Sequence, residues 1–205
     1  DTLESASEFL PLMALAPAVL IALEGDLSSG MDRGGVADWQ AATWAALGVA
    51  FLERGHAAGV LPYDPKRDEV VLIEQFRVGA LAAGRDPWLI EVVAGIVDSG
   101  EAHDAVARRE AQEEAGVAIK RLALISDLML SAGAVSETFR LYCGEVDAGG
   151  VGGIHGLAHE SEDIRVEAMP LRRALGLLRQ GRIANAPAVI ALQWLALNKR
   201  RLRRE

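Results

Sequence analysis

From His56 onward, apolar positions recur in short runs of the lengths that strands and helices require. Residues 56–63 and 69–76, containing GVLPY and EVVLIEQF, are rich in Val, Ile and Leu and predict two strands. The turn-forming cluster Asp64-Pro65-Lys66-Arg67-Asp68 separates them, so the pair reads as a hairpin-like unit. Further strands are predicted at 88–94, 119–127, 137–147 and 163–169, and helices at 102–115, 170–180 and 186–203. Strands interleaved with helices place the chain in the α/β class, with a mixed sheet covered on both faces.

Residues 1–49 follow different rules. They are alanine-rich and interrupted by Gly25, Ser28, Ser29, Gly30, Gly34 and Gly35, with a short helix predicted at 36–47 around Trp39 and Trp44. The run Leu10 to Leu23 falls short of the roughly 20 apolar residues that cross a bilayer. It has no basic leader, so neither a membrane span nor a signal peptide is expected. The reading divides the chain into a divergent N-terminal segment, 1–49, and one main domain, 50–205. The first segment either packs on a partner subunit or forms a poorly ordered extension.

The chemistry concentrates between Gly95 and Val117, GIVDSGEAHDAVARREAQEEAGV. On a helix Glu110, Glu113 and Glu114 stand at i, i+3 and i+4, so three carboxylates share one face. No lysine or arginine one turn away on that face is evident to relieve Glu113 or Glu114, whereas a divalent cation would. Magnesium suits such a cluster, being a hard ion that takes one or two carboxylates and leaves positions for water and phosphate oxygens. Gly95 and Gly100 are available for positive φ in the entering loop, and Gly116 supplies the stop. Glu101 and Asp104 lie where the helix dipole favours negative charge. The alternative is a solvated acidic face with Ala105, Val106 and Ala115 on the core.

These residues resemble the Nudix box, Gly-x5-Glu-x7-Arg-Glu-aliphatic-x-Glu-Glu-x-Gly-aliphatic, at Gly95, Glu101, Arg109, Glu110, Glu113, Glu114, Gly116 and Val117. Ala111 is smaller than the usual branched aliphatic. With seven fixed residues at about 6% usage each, chance agreement at one start point is on the order of 10⁻⁹. The flanks FLERGHAAGVLPYDPKRDEVVLIEQFR, GEVD, GIHGLAHESEDIRV and IANAPAVIALQWL resemble the bacterial ADP-ribose pyrophosphatase branch of the Nudix hydrolases.

The resemblance implies an α/β/α sandwich and magnesium-dependent cleavage of ADP-ribose to AMP and ribose 5-phosphate, with Mn²⁺ a possible substitute for Mg²⁺. It implies that Glu110, Glu113, Glu114 and the carbonyl of Ala94 hold the metal, and that Arg109 orients the carboxylates. Glu160 is implied as the general base, with Glu162 a second candidate. Arg77 and Glu137 match positions that contact the diphosphate and the sugar. A homodimer is implied as well. Two departures stand out: Ala132 stands where the family's Ser-Pro-Gly-Gly-type turn has proline, with Ala134 and Val135 after Gly133, and WAALGVAFLERG lacks the basic stretch that the family uses for substrate binding across its dimer interface. Another nucleoside diphosphate sugar or dinucleotide is therefore an alternative substrate, and a non-catalytic nucleotide-sugar sensor is the alternative outside enzymology.

Charge narrows the partners. The formal net charge is -8, with seven acids and one base in residues 1–49, which argues against nucleic-acid binding. The basic KRRLRRE end suits a helix C-terminus. Cys143 is the single cysteine, so no internal disulfide forms and a reducing, cytoplasmic setting is expected. Among glycines 149–156, His155, with His159 beyond, reads as exposed, and 149–163 reads as a loop that closes over ligand.

Overall fold

The computed structural model describes residues 54–156 and 163–202. The helix expected at 36–47, and with it Glu160, Glu162 and His159, lie outside the described residues. The described residues fall into two compact units, one of 56–128 with 138–202 and a small one of 54–55 with 129–137. In the small unit Ser131 accepts backbone bonds from Ala134 (3.0 Å) and Val135 (2.9 Å), and Arg54 pairs with Glu137 at 3.8 Å.

One mixed sheet contains β1 (Ala57–Asp64), β2 (Glu69–Phe76), β3 (Trp88–Glu91), β4 (Val93–Ile96), β5 (Arg121–Met129), β6 (Thr138–Glu145), β7 (Gly152–His155) and β8 (Ile164–Pro170). The helices among the described residues are α1 (Val78–Ala82), α2 (His103–Ala115), α3 (Leu171–Arg179) and α4 (Ala186–Leu202). The main path runs β5-β6-β1-β2-β8-β7, with β3 on β2 and β4 on β1. β1 and β6 are parallel, and all eight positions of β1 are buried, as a strand covered on both faces requires.

The expected hairpin exists only at its turn. Tyr63 pairs with Val70 and Asp64 with Glu69, after which the strands part and a third segment enters the wedge. Within it, β3 pairs Phe76 with Trp88 through Ile73 with Glu91, while β4 pairs Val60 with Val93 through Ala57 with Ile96. The single strand expected at 88–94 is thus two strands broken at Val92. Pro62, which has no amide hydrogen, falls between the β4 and β2 registers of β1, where a missing donor is tolerated.

Side-chain alternation sends the strands' apolar residues to two cores. Leu61, Tyr63, Val70, Leu72, Leu141 and Cys143 cluster with Ala174, Ala188, Leu192 and Leu195 of α3 and α4. Val60, Val71, Ile73, Tyr142 and Val166 cluster with Ala107, Ala111 and Ala115 of α2. The α/β/α layering follows. The α2 stripe corrects the sequence reading at one position: Val106 and Ala115 are buried as expected, but Ala105 is exposed while Ala107 and Ala111 are fully buried. Three alanines spaced by four residues form a smooth face, so the small residue at 111 is what the sheet meets. Cys143 packs as a small hydrophobe at 3% exposure, and burial pushes its thiol up to about 12.

Two elements escaped the periodicity. The short α1 exposes or half-exposes every residue, and the edge strand β7 begins with Gly152 and Gly153 at φ 154° and 108°. Neither carries an apolar alternation. Residues 152–155, expected in a loop, pair with Ile164 to Glu167 of β8.

Asp64, 1% exposed, ties down the β1–β2 turn. Its Oδ1 accepts from the amides of Lys66 (2.8 Å) and Arg67 (3.1 Å), and its Oδ2 from Ala148 N–H (3.0 Å) and Arg67 Nη1 (3.1 Å). Burial alone would raise its pKa, but these donors together hold it below the usual value. A depressed folded pKa gives stability that is complete above the ordinary carboxylate value of about 3.9 and is lost as pH falls through the lower folded value. Asp64→Ala should cost about 3 kcal/mol in urea unfolding at pH 7, since buried donors lose a charged acceptor. That gap should narrow as pH is lowered below about 4.

Candidate active site

The loop from β4 into α2 turns at Gly100, φ 83°, where Glu101 N–H bonds Asp98 O at 2.9 Å. That is a turn with a left-handed third residue, a glycine position. Helix α2 ends at Gly116, φ 65°, whose amide bonds Gln112 O (3.1 Å) while Val117 N–H bonds Ala111 O (3.0 Å). Both sequence-predicted boundaries are present. The alanine face against the sheet fixes the rotation of α2 and turns Glu110 and Glu114 toward β4.

Glu114 is 3% exposed, and its Oε2 accepts the Ala94 N–H at 3.1 Å. Glu110 lies against Gly95, where an added Cβ would stand 1.7 Å from Glu110 Oε1 and 2.1 Å from its Cδ. Gly95 is therefore required for close approach. It sits in β4, paired with Ala58, and is absent from the positive-φ residues, which corrects the expectation that it frees the loop.

A second correction concerns the charge on the acidic face. Arg109 donates through Nη1 to Glu110 Oε1 (2.7 Å) and Glu113 Oε2 (3.0 Å), and through Nε and Nη2 to the two oxygens of Glu101 (3.2 Å each). Glu113 is thus relieved by an arginine four residues earlier, which the sequence reading overlooked. Glu101, chiefly, with Glu113 and Glu110 raises the Arg109 pKa against the opposing effect of burial. In return Arg109 holds Glu101 below its usual value. Among the described residues no group of three His, Cys, Asp or Glu is arranged to hold a metal as it stands. Hard oxygen donors on one helical face do fit a divalent cation in kind, and a guanidinium bonds two of them, Glu110 and Glu113.

Of the residues singled out from sequence, Ala94, Arg109, Glu110, Glu113 and Glu114 meet at the α2–β4 junction. Arg77 engages a different partner, Glu91, through Nε (2.9 Å) and Nη2 (2.7 Å) to one oxygen. Glu137 is buried and belongs to the small unit. His155 is half-buried, with Nε2 3.2 Å from Gly152 O. Two polar residues passed unnoticed in the sequence. Glu91 is 4% exposed, and Asn185 Nδ2 donates to its Oε1 at 2.7 Å. The available signal was a lone carboxylate inside the apolar run WLIEVVA, a position that demands partners.

Residues 53–192 match the NUDIX domain family. The chain belongs to the NUDIX family. It is 51% identical to the ADP-ribose pyrophosphatase of Escherichia coli (strain K12) over 153 residues, 75% of this chain and 73% of that protein. It is 39% identical to the GDP-mannose pyrophosphatase of Cronobacter sakazakii over 150 residues, 71% of this chain and 75% of that protein. The fold resembles the crystal structure of an ADP compounds hydrolase, with a TM-score of 0.59 at 22% identity, covering 75% of this chain and 78% of that one. The chain is a NUDIX hydrolase, and its box helix is the one packed on β4.

The NUDIX geometry separates two glycines by consequence. The atoms nearest an alanine Cβ at 95 all belong to the Glu110 side chain, so Gly95→Ala should displace that carboxylate and lower kcat about tenfold or more, with a smaller loss of stability than Gly59→Ala. Alanine at 59 would stand 2.5 Å from the Phe139 ring and 3.2 Å from Val93 O, inside the core. Gly59→Ala should cost about 1 to 3 kcal/mol in denaturant unfolding.

Proposed function

We propose that the chain hydrolyses the diphosphate bond of ADP-ribose, with a divalent cation bound, to AMP and ribose 5-phosphate. The observation that carries this reading is the 51% identity, across most of both chains, to a protein named ADP-ribose pyrophosphatase. The α2–β4 junction supports it with hard oxygen donors in kind, Glu110, Glu113 and Glu114, beside the Ala94 backbone. Magnesium is the proposed ion, with manganese a possible substitute. When bound, the ion supplies charge neutralisation at the diphosphate oxygens.

In this reading Glu110, Glu114 and the Ala94 carbonyl hold the ion with Glu113 beside them, and Arg109 keeps their carboxylates in place. Arg77 contacts the diphosphate and Glu137 the sugar. Glu160, with Glu162 as the second candidate, takes the proton from the attacking water, so that the water oxygen bonds phosphorus as the P–O–P bridge breaks. The protein acts as a homodimer in the cytoplasm, without nucleic-acid or membrane partners. No helix of the described residues is long and apolar enough to cross a membrane.

A second reading keeps the chemistry and changes the substrate to a GDP-sugar. It is favoured by the 39% identity to a GDP-mannose pyrophosphatase and by Ala132, Ala134 and Val135 in the 131–135 turn. ADP-ribose, GDP-mannose and NADH compared with Mg²⁺ and with chelator, using phosphatase-coupled phosphate release, decide between them. ADP-ribose should be turned over fastest and chelator should abolish release; GDP-mannose in first place reverses the assignment.

Two substitutions should differ in kind. Glu114→Gln should nearly abolish turnover through loss of metal affinity, read by titration of Mn²⁺ binding. Glu160→Gln should lower kcat by about 10² to 10⁴-fold with substrate affinity largely retained, the usual worth of a general base. Normal turnover by Glu160→Gln removes it from the mechanism and turns attention to Glu162.

A further inference from the structure

The buried carboxylate of Glu91 joins three parts of the fold. Its Oε2 accepts Nε and Nη2 of Arg77 and, at 3.4 Å, Nε2 of Gln75 in β2; its Oε1 accepts Nδ2 of Asn185. Asn185 is committed on its other side, since its Oδ1 accepts the Ala188 N–H at 3.3 Å in the first turn of α4. The amide of Asn185 therefore has a fixed sense and presents only a donor to Glu91. A side chain at 91 must accept on both of its oxygens, which a carboxylate does and an amide does not.

The hold on Arg77 is one-sided. Two of its nitrogens bond a single oxygen, and among the described residues Nη1 makes no hydrogen bond. The side chain is 45% exposed although its partner is buried. Fixed at one edge and open at another, such a guanidinium retains donors for an anion while losing the freedom that would make anion binding costly. We propose that Glu91 is a positioning residue that holds Arg77 to receive the diphosphate of the substrate, with Asn185 setting the orientation of Glu91. This rests on the reading of Arg77 as a diphosphate contact and adds the cause of its placement.

An ion pair that served stability alone would leave substrate affinity untouched. Glu91→Gln makes Asn185 and Arg77 compete for one acceptor oxygen, so KM for ADP-ribose should rise about ten- to hundredfold, the worth of a hydrogen bond to a charged group. The change in kcat should be smaller. On an Arg77→Ala background the same substitution should raise KM no further, because the residue it positions is gone. Glu91→Asp, which keeps the charge but shortens the reach, should also raise KM.

Arg77→Lys tests the proposal without altering the buried residue. A lysine has no fork with which to bond Glu91 on one edge and substrate on another, so its KM should approach that of Arg77→Ala. Wild-type KM in Arg77→Ala would remove Arg77 from substrate binding, and the reading beneath the proposal would fail. Raised KM in Arg77→Ala, together with wild-type KM in Arg77→Lys or in folded Glu91→Gln and Glu91→Asp, would overturn the proposal alone. Multiplicative KM effects in the double variant would overturn it too.

Discussion

The contact between Glu110 and the bare Cα of Gly95, with Glu114 bonded to Ala94 N–H beside it, is the constraint from which the site follows. It sets how closely the two carboxylates can lie against β4, since Glu110 needs a residue without a side chain at 95 and Glu114 needs the amide of Ala94. The alanines at 107, 111 and 115 present the smooth face by which the helix meets the sheet. A branched residue at 111 would have to find room in a fully buried position, whereas alanine needs none. Close packing and an acidic cluster are thus one feature: the carboxylates are held together because an apolar stripe on the same helix cannot leave the sheet. The cluster then requires positive charge, which Arg109 provides here and which a divalent cation provides in the proposed reaction.

What the sequence made legible depended on whether a position answers to a local rule. The box helix was readable at both ends because Gly100 and Gly116 occupy left-handed backbone, which sequence marks with glycine. Gly95 was readable as necessary but for the wrong reason, since close approach by a side chain fifteen residues later leaves no local trace. Arg109 reads from the family resemblance as an orienting residue, whereas its neutralisation of Glu113 is a plain i, i+4 pair that the acidic run around it obscures. The break at Val92 depends on two other strands parting, so a single run of apolar residues gave no sign of it. β7 is held by pairing with β8, and its glycines carry no pattern to read.

Residues with opposite charge requirements lie along the same wedge segment, β3 and β4. At its first half, Glu91 is a buried anion that fixes the half-exposed cation of Arg77; at its second, the Ala94 and Gly95 backbone receives the carboxylates of α2. Three residues lie between Glu91 and Gly95, so the two are at most about 13 Å apart along extended chain, and the break at Val92 makes the path no longer. On the proposed reading a nucleoside diphosphate sugar needs both signs, carboxylates to take the ion and a guanidinium to take phosphate oxygens. A continuous strand paired to one neighbour would serve only one of these ends. Because β3 is registered on β2 and β4 on β1, the segment anchors Arg77, which follows β2, and α2, which packs beneath β1, to one short length of backbone. A shift in either register would move the cation relative to the anions, so the splayed hairpin sets the spacing between the two halves of the proposed site.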